Sequence, residues 1–586
     1  MNTKEIVDCA MGRIKSDIVL LNGQLVNVYT KEIIEADIAI SKDRIVHVGK
    51  NTNDLIGENT RVIDIEESII CPGLIESHVH IESSMLTLSR FTEAIVPHGT
   101  TTAVIDPHEL ANVAGMEGLE ILVNEARNSP ISYLIELPSC VPSLPGFETP
   151  GSTIDSEQVK QLIIRDEFFA LAEMMNYPGV FLGLEEVMTK IDATKKAGKI
   201  IEGHAPLLKE KELQAYVAAG ISSDHEATTF EEVLEKLRLG MKLQVREGSF
   251  AKDLGNILQN LDESKIDTRN ILIASDDRNP IDLIEKGHLN YTYRKMVQLG
   301  MNPIEAIQMM TLNTATHLGL EKEIGGIAPG KRADIIVVNN LEEFNIKMVF
   351  AKGEVLFENG KLAFPIQEKK FPDFILDTLS KLEVPTIEKL MIKVNSQNYV
   401  NVRVIGVSEH SLITEKLEAE LQVQDTFVIP DIENDILPVV VLNRHTKEEK
   451  IGKGFVKGLG LKHGAIASTV AHDSHQLICT GSNYELMLKA IEALKESHGG
   501  LVVVTIDNIT ILPLKFAGIM STGKIEDVVR LNKELNNALN TLNPAISESF
   551  MALAFLALPV IPHLKITDHG LIDVDAFEKV NPIIEE

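Results

Sequence analysis

Between residues 69 and 320 the chain repeats one unit, and no other feature restricts its fold as much. A short apolar run stops at a polar or ionisable residue, and a longer helical stretch follows before the next run. Ile69-Ile70 precedes His78, the run from Thr101 to Ile105 precedes Asp106, and that from Ile131 to Leu137 precedes Pro138. Later runs end at Glu173, His204, His225, Arg246 and Asp276. The eight stops are spaced about 28 residues apart, roughly what one strand, one helix and their loops require. Eight such units predict an α/β fold of the (β/α)8 kind, a TIM-like barrel. In that fold reactive side chains stand at the C-terminal ends of strands, where the ionisable residues fall here.

Residues 18–70 alternate apolar and polar positions instead, with Asn-Gly and Lys-Asp pairs between the runs. That pattern predicts short antiparallel strands. The same texture returns over 333–338 and 349–357, so the two flanks are expected to build one small β-sandwich with the barrel inserted. A chain of 586 residues also exceeds the ~250–300 that a single core supports. The expected division is 1–70 for the first part of the sandwich, 71–322 for the barrel, 323–364 for its second part, and 365–586 for a C-terminal mixed α/β domain. In that last segment helices are expected over 484–497 and 527–542, and strands over 402–407, 439–442 and 501–506. The glycines from Gly452 to Gly460 lack the G-x-G-x-x-G spacing of a nucleotide site and are expected to form a loop. The 13-residue apolar run from Phe550 to Pro562 is too short to span a bilayer and predicts a buried helix.

Charge narrows the partners. A formal net charge of −29 gives no field that would attract nucleic-acid phosphates, so a nucleic-acid partner is not expected. Four scattered cysteines form no C-x-x-C pair, which argues against a thiolate zinc site. The first residues carry Lys, Glu and Asp where a signal peptide needs an apolar core, so a cytoplasmic chain without a membrane partner is expected.

His78-Val79-His80 closes the first barrel run, and residues two apart in extended chain point to one side. Both imidazoles then face one cavity, together with His204, His225 and Asp276 in the same barrel register. Imidazole is the commonest protein ligand for Zn, Mn and Fe(II), so the set predicts a metal centre.

Pro72-Gly-Leu-Ile-Glu-Ser-His-Val-His, single histidines after strands five and six, and an aspartate after strand eight resemble the amidohydrolase superfamily. Within it, His78-Val-His-Ile-Glu-Ser-Ser, Asp106-Pro-His-Glu, Leu171-Ala-Glu-Met-Met-Asn-Tyr-Pro-Gly, Glu202-Gly-His-Ala-Pro, Ser223-Asp-His-Glu, Ser275-Asp-Asp-Arg and Val470-Ala-His-Asp-Ser-His are similar to the prokaryotic adenine deaminase family. The resemblance covers nearly the whole chain. Many superfamily members bridge two metals with a carboxylated lysine after strand four, whereas Glu173 here supplies a carboxylate directly. The implied set is His78, His80 and Asp276 on one metal, His204 and His225 on the other, and Glu173 between them. Imidazole and carboxylate without thiolate suit Mn2+, Fe2+ or Zn2+, and the family favours Mn2+ or Fe2+.

The resemblance implies hydrolytic deamination of adenine at C6, giving hypoxanthine and ammonia in purine salvage. A hydroxide held between two cations would attack, and Asp276 would take its proton and return it to the departing ammonia. Glu82, Ser83 and Ser84 in the first loop, Asp106, His108 and Glu109 in the second, and Asp277 beside Asp276 are the expected substrate contacts. Asp106 and Glu109 are also candidates for protonating a ring nitrogen; equally, they cap the following helix, whose first turn favours acids. Asp277 and Arg278 are candidate orienters of the ligands. No basic or glycine-rich phosphate cradle accompanies these loops, which suits a neutral base. His472-Asp473-Ser474-His475 would hold a further ion or cover the pocket, or is simply a polar turn between domains. A homo-oligomer is expected. The rival readings are a cyclic amidohydrolase of the hydantoinase or dihydroorotase kind, a deaminase of another purine, and a non-catalytic scaffold.

Overall fold

The computed structural model describes residues 1–261, 266–365, 369–395, 398–409 and 411–584. The repeated unit forms β1 (Leu74–His80), β2 (Thr100–Ile105), β3 (Ser132–Leu137), β4 (Phe168–Met174), β5 (Ile200–Gly203), β6 (Ser223–Asp224), β7 (Lys242–Arg246) and β8 (Ile271–Ala274). β1 to β5 pair in parallel in chain order, and so do β6 to β8. Backbone contacts join these arcs at both ends. Ser222 N–H donates to Ile201 O at 3.0 Å, and Asp276–Asp277, just beyond β8, pairs in parallel with the end of β1. The sheet thus closes on itself. β1 and β2 are buried along their whole length, as parallel strands covered on both faces must be.

The flanks meet as expected: Ile335–Val338 pairs antiparallel with Ile69–Pro72 inside one nine-stranded sheet. That sheet folds over its own apolar core, and Ile45 N–H reaches Lys331 O at 2.9 Å to close it. Three expectations need correction. Ile69-Ile70 belongs to this sheet, and the barrel begins at Leu74; Gly73 makes the crossover, where a Cβ would meet the Thr101 side chain at 2.3 Å. Asn22-Gly23 is no turn, because a single strand, Ile18–Asn27, runs through it with a bulge while its partner Glu32–Ser41 pairs on both sides. The sheet is also mixed, since Arg61–Asp64 and Ile69–Pro72 lie parallel to that strand.

The C-terminal segment centres on a second nine-stranded sheet with helices Tyr484–Glu496 and Ile525–Asn540 packed on it. The glycine-rich stretch is a loop only from Gly458 to Gly460: Ile451–Lys457 is a strand between Tyr399–Gly406 and Ile436–Leu442. Its glycines serve close approach, for a Cβ on Gly452 would lie 1.8 Å from Thr567 O of the overlying three-stranded sheet. The run from Phe550 is helical only over Ser549–Phe555, since Pro559 and Pro562 have no N–H to continue it. Among the described residues no helix is long and apolar enough to cross a membrane.

This segment lies across the C-terminal ends of the barrel strands. Ser521 N–H donates to Met85 O (2.8 Å), Ser474 Oγ to Glu148 Oε2 (2.5 Å), and Gln476 Nε2 to Thr149 O (2.5 Å).

Candidate metal centre

Buried polar groups set the strand ends before any reactive side chain is placed. The Glu76 carboxylate on β1 accepts from His78 N (3.2 Å) and from Ser275 N (3.0 Å), so one side chain fixes both the H-x-H segment and the chain that carries Asp276. Tyr216 OH donates to Met174 O (3.0 Å) and accepts from His204 N (2.9 Å), tying the end of β4 to the end of β5. Lys236 Nζ is fully buried and donates to Ala205 O (2.7 Å), Asp224 Oδ2 (2.8 Å) and Glu232 Oε1 (2.7 Å), which stitches the His204 loop to the His225 loop.

Six side chains converge on this frame. His78 Nε2 and His80 Nε2 face each other at 3.1 Å. Asp276 Oδ1 lies 3.7 Å from the first and 3.3 Å from the second. Glu173 Oε2 is 2.7 Å from His204 Nδ1 and 3.1 Å from His225 Nε2, while its Oε1 is 3.4 Å from His80 Nε2. Glu173 therefore touches both halves of the set. His80 Nδ1 meets Asp106 O at 3.0 Å; that carbonyl can only accept, so the ring's proton sits on Nδ1 and the Nε2 lone pair faces the cluster.

The electrostatics match the geometry. Burial pushes the Glu173 carboxyl up, but His204 and His225 outweigh it and hold it well below the usual carboxylate range. Asp276 is likewise held well down, the neighbouring His80 and the Arg246 guanidinium overcoming burial. Burial and the neighbouring His225 and His80 keep His78 neutral, pulling it well below the ordinary imidazole value. Two anionic carboxylates and four imidazoles in one buried cluster suit a divalent cation pair by donor chemistry alone. A second grouping, His80, Asp106, His108 and Glu173, also lies within ligand-sharing distance, as do His204, His225 and Glu226.

The remaining candidates separate. Asp106 Oδ1 accepts from His108 N (3.1 Å) at the start of α1 (His108–Arg127), and its Oδ2 faces His108 Nδ1 at 3.3 Å. Glu109 lies in the first turn of α1, yet its carboxylate turns towards His475 Nε2 (3.2 Å) and His472 Nδ1 (3.8 Å). Glu82 Oε1 accepts from Leu110 N (3.1 Å) and Oε2 has no partner; burial, then Glu109, pushes this carboxyl up to about 8. Asp277 is pushed up to about 7 by burial and by Asp276, and the Ser83 hydroxyl bonds to it. Ser84 is turned away, donating to Ile81 O within its own 3-10 turn (2.5 Å). Arg278 does not reach the ligands: its guanidinium is drawn instead to two backbone carbonyls, donating twice to Gly287 O and once to Glu247 O.

Sequence reasoning gave no role to Arg246, which donates to Asp276 Oδ2 (3.2 Å), Glu226 and Asp253. Its place at the end of the seventh run was the available signal. No local signal marks Glu148, which meets the 472–475 turn only through tertiary contact.

The barrel and its flanks match the amidohydrolase family model over residues 69–356, and residues 411–578 match the adenine deaminase C-terminal domain. The chain is 39% identical to an adenine deaminase of Methanococcoides burtonii over 100% of this chain and 99% of that protein. It is 40% identical to that of Methanothrix thermoacetophila, covering 100% of both, and 40% identical to that of Staphylothermus marinus over 99% of this chain and 97% of that protein. A C-terminal domain of this type joined to an amidohydrolase barrel, matched end to end by these relatives, places the chain in the adenine deaminase family of the amidohydrolases.

Proposed function

We propose that the chain deaminates adenine hydrolytically at C6, releasing hypoxanthine and ammonia. A pair of divalent cations, Mn2+ or Fe2+ foremost and Zn2+ also compatible with the donors, would be held by His78, His80 and Asp276 on one side, His204 and His225 on the other, and Glu173 between. When bound, such cations supply the Lewis acidity that makes water a nucleophile near neutral pH.

The chain's own groups account for the rest. Arg246 holds Asp276 Oδ2 and leaves Oδ1 facing the cluster, so the carboxylate is aimed at the site where it would take a proton from the attacking water and deliver it to the departing amine. Asp276 adopts a left-handed φ of 54°, a conformation that costs about 1 kcal/mol or more in a residue other than glycine. Glu76 and Arg246 hold it there, and the carboxylate is aimed as a result.

At the mouth, carboxyls divide by environment, which is how acids and acceptors are assigned in one pocket. In the metal-free chain burial raises Glu82 to about 8 and Asp277 to about 7, and both carboxyls are placed to meet the polar edge of a purine. Glu109 is held anionic by His472, His475 and His108 against burial, and suits a purine N–H. An acidic mouth of this kind favours a neutral base over an anionic nucleotide.

The observation that carries this reading is the convergence of the ends of β1, β5 and β6 on Glu173 at the end of β4, inside a chain matched over its full length by relatives named adenine deaminase. The test is protein loaded with Mn2+ under iron exclusion and incubated with adenine, followed by ultraviolet absorbance and ammonia release. Stoichiometric hypoxanthine and ammonia are expected. Absence of both from a fully metallated sample would refute the assignment.

A further inference from the structure

The C-terminal segment does more than cover the barrel. Its turn from Ala471 to His475 is buried against the mouth, with His475 fully enclosed and His472 stacked on Phe555 at 4.5 Å. The turn is braced from both sides. Within it, His475 N–H donates to Ala471 O (2.7 Å), and Ala471 N–H donates back to His475 Nδ1 (3.1 Å). Behind it, the buried Arg444 donates to His475 O and to Ala517 O, and His445 Nε2 donates to Ser474 O.

The bond to Nδ1 decides the chemistry of the ring. A backbone N–H can only donate, so Nδ1 presents its lone pair and the neutral ring carries its proton on Nε2. That Nε2 lies 3.2 Å from Glu109 Oε2. Glu109, His472 and His475 have the residue types of a metal triad and lie within ligand-sharing distance. A metal ligand, however, needs a bare nitrogen, and here the bare nitrogen is turned away from the triad. The geometry sets an N–H group, rather than a third cation site, beside a carboxylate. Nε2 makes no aligned hydrogen bond as it stands but is close enough to form one on a small turn of the Glu109 side chain.

We propose that His475 is a positioning residue: its Nε2–H holds the Glu109 carboxylate in place as the acceptor for a purine N–H, so that the C-terminal domain completes the substrate pocket of the barrel. This rests on the adenine reading given above for the direction in which Glu109 acts. It assigns that domain a part in binding, since Glu109 comes from the barrel and the donor that fixes it comes from beyond residue 470. A hydrogen bond to a charged group fixes its partner strongly, and losing one reduces affinity by roughly 10- to 100-fold.

The test uses metal-loaded full-length protein with the substitutions His475→Ala, His475→Gln and Glu109→Gln, and the double variant. H475A is expected to raise KM for adenine by about 10-fold or more while kcat changes little and metal content stays at the wild-type value. The glutamine amide restores a donor near the Nε2 position, so H475Q should recover most of the loss. In the E109Q background the further effect of H475A should vanish, because the imidazole acts through that carboxylate. An unchanged KM in H475A, additive effects in the double variant, or the loss of one metal equivalent from H475A would each overturn the proposal, the last by assigning the triad to a cation. A structural role alone would lower thermal stability with KM unmoved. Nitrogen-15 NMR of histidine-labelled protein without substrate reads the tautomer directly: an Nε2–H signal for His475 that shifts in E109Q is expected, and an Nδ1–H signal would refute the pairing. That spectrum stands even if adenine proves not to be the substrate.

Discussion

Glu148 offers a quantitative check on how the C-terminal turn is held to the barrel. Its side chain is buried, with Oε1 accepting from Ser143 Oγ (3.0 Å) and Leu144 N (3.1 Å), and Oε2 from Ser474 Oγ (2.5 Å). Burial pushes this carboxyl up to about 7 from its ordinary 4.5, more than these donors pull it down. A carboxyl whose folded value is raised binds more protons when folded than when released. Its stabilising contribution is therefore complete below pH 4.5 and disappears as pH rises through about 7. A shift of this size corresponds to about 3 kcal/mol over the whole range, of which roughly 1.4 kcal/mol falls between pH 6 and pH 9. Glu148→Gln keeps the shape and can satisfy the same partners without titrating. The His475 amide, bonded to Ala471 O, reports opening of the turn by hydrogen exchange. Comparing wild type with E148Q at equal pH cancels intrinsic exchange. The wild-type amide should exchange about 10-fold faster relative to the variant at pH 9 than at pH 6. A ratio that does not change with pH, or that moves the other way, would refute the reasoning.

Three further substitutions probe the centre and the fold. Glu173→Gln removes the charge that both halves of the cluster share; metal content by mass spectrometry should fall by at least half with far-ultraviolet circular dichroism unchanged, and full metal occupancy would remove the bridging role. Asp276→Asn should lower kcat by about 10^2–10^4-fold with a smaller change in KM, as expected for a lost proton acceptor, and turnover within a few-fold of wild type would contradict that role. Gly452→Ala forces a Cβ against Thr567 O; it should destabilise the C-terminal domain by about 1–3 kcal/mol, measured by chemical denaturation, and a neutral outcome would show that the overlying sheet yields freely.

The barrel, its strand order and the six central side chains were legible in the sequence because each depends on a local rule. Parallel strands buried on both faces need apolar runs, and a ligand at a strand end interrupts its run at a fixed place, so His204, His225 and Asp276 could be read by register alone. The H-x-H pair needed only the two-residue period of extended chain. Local rules failed where a contact from far along the chain overrode them: Asn22-Gly23 became a bulge because its partner strand pairs on both sides, and the stretch from Gly452 became a central strand because its missing side chains admit Thr567. The same limit applies to the mouth. Whether Glu109 caps a helix or faces a pocket depends on His475, 366 residues later, and the hold of Arg246 on Asp276 depends on how β7 and β8 lie together in the closed barrel. The residue pattern alone put histidines and carboxylates at the ends of the barrel strands. Only the tertiary structure decided which Asp276 oxygen faces the cluster and which His80 nitrogen does, because Arg246 and the Asp106 carbonyl, which make those choices, are brought in from other strands.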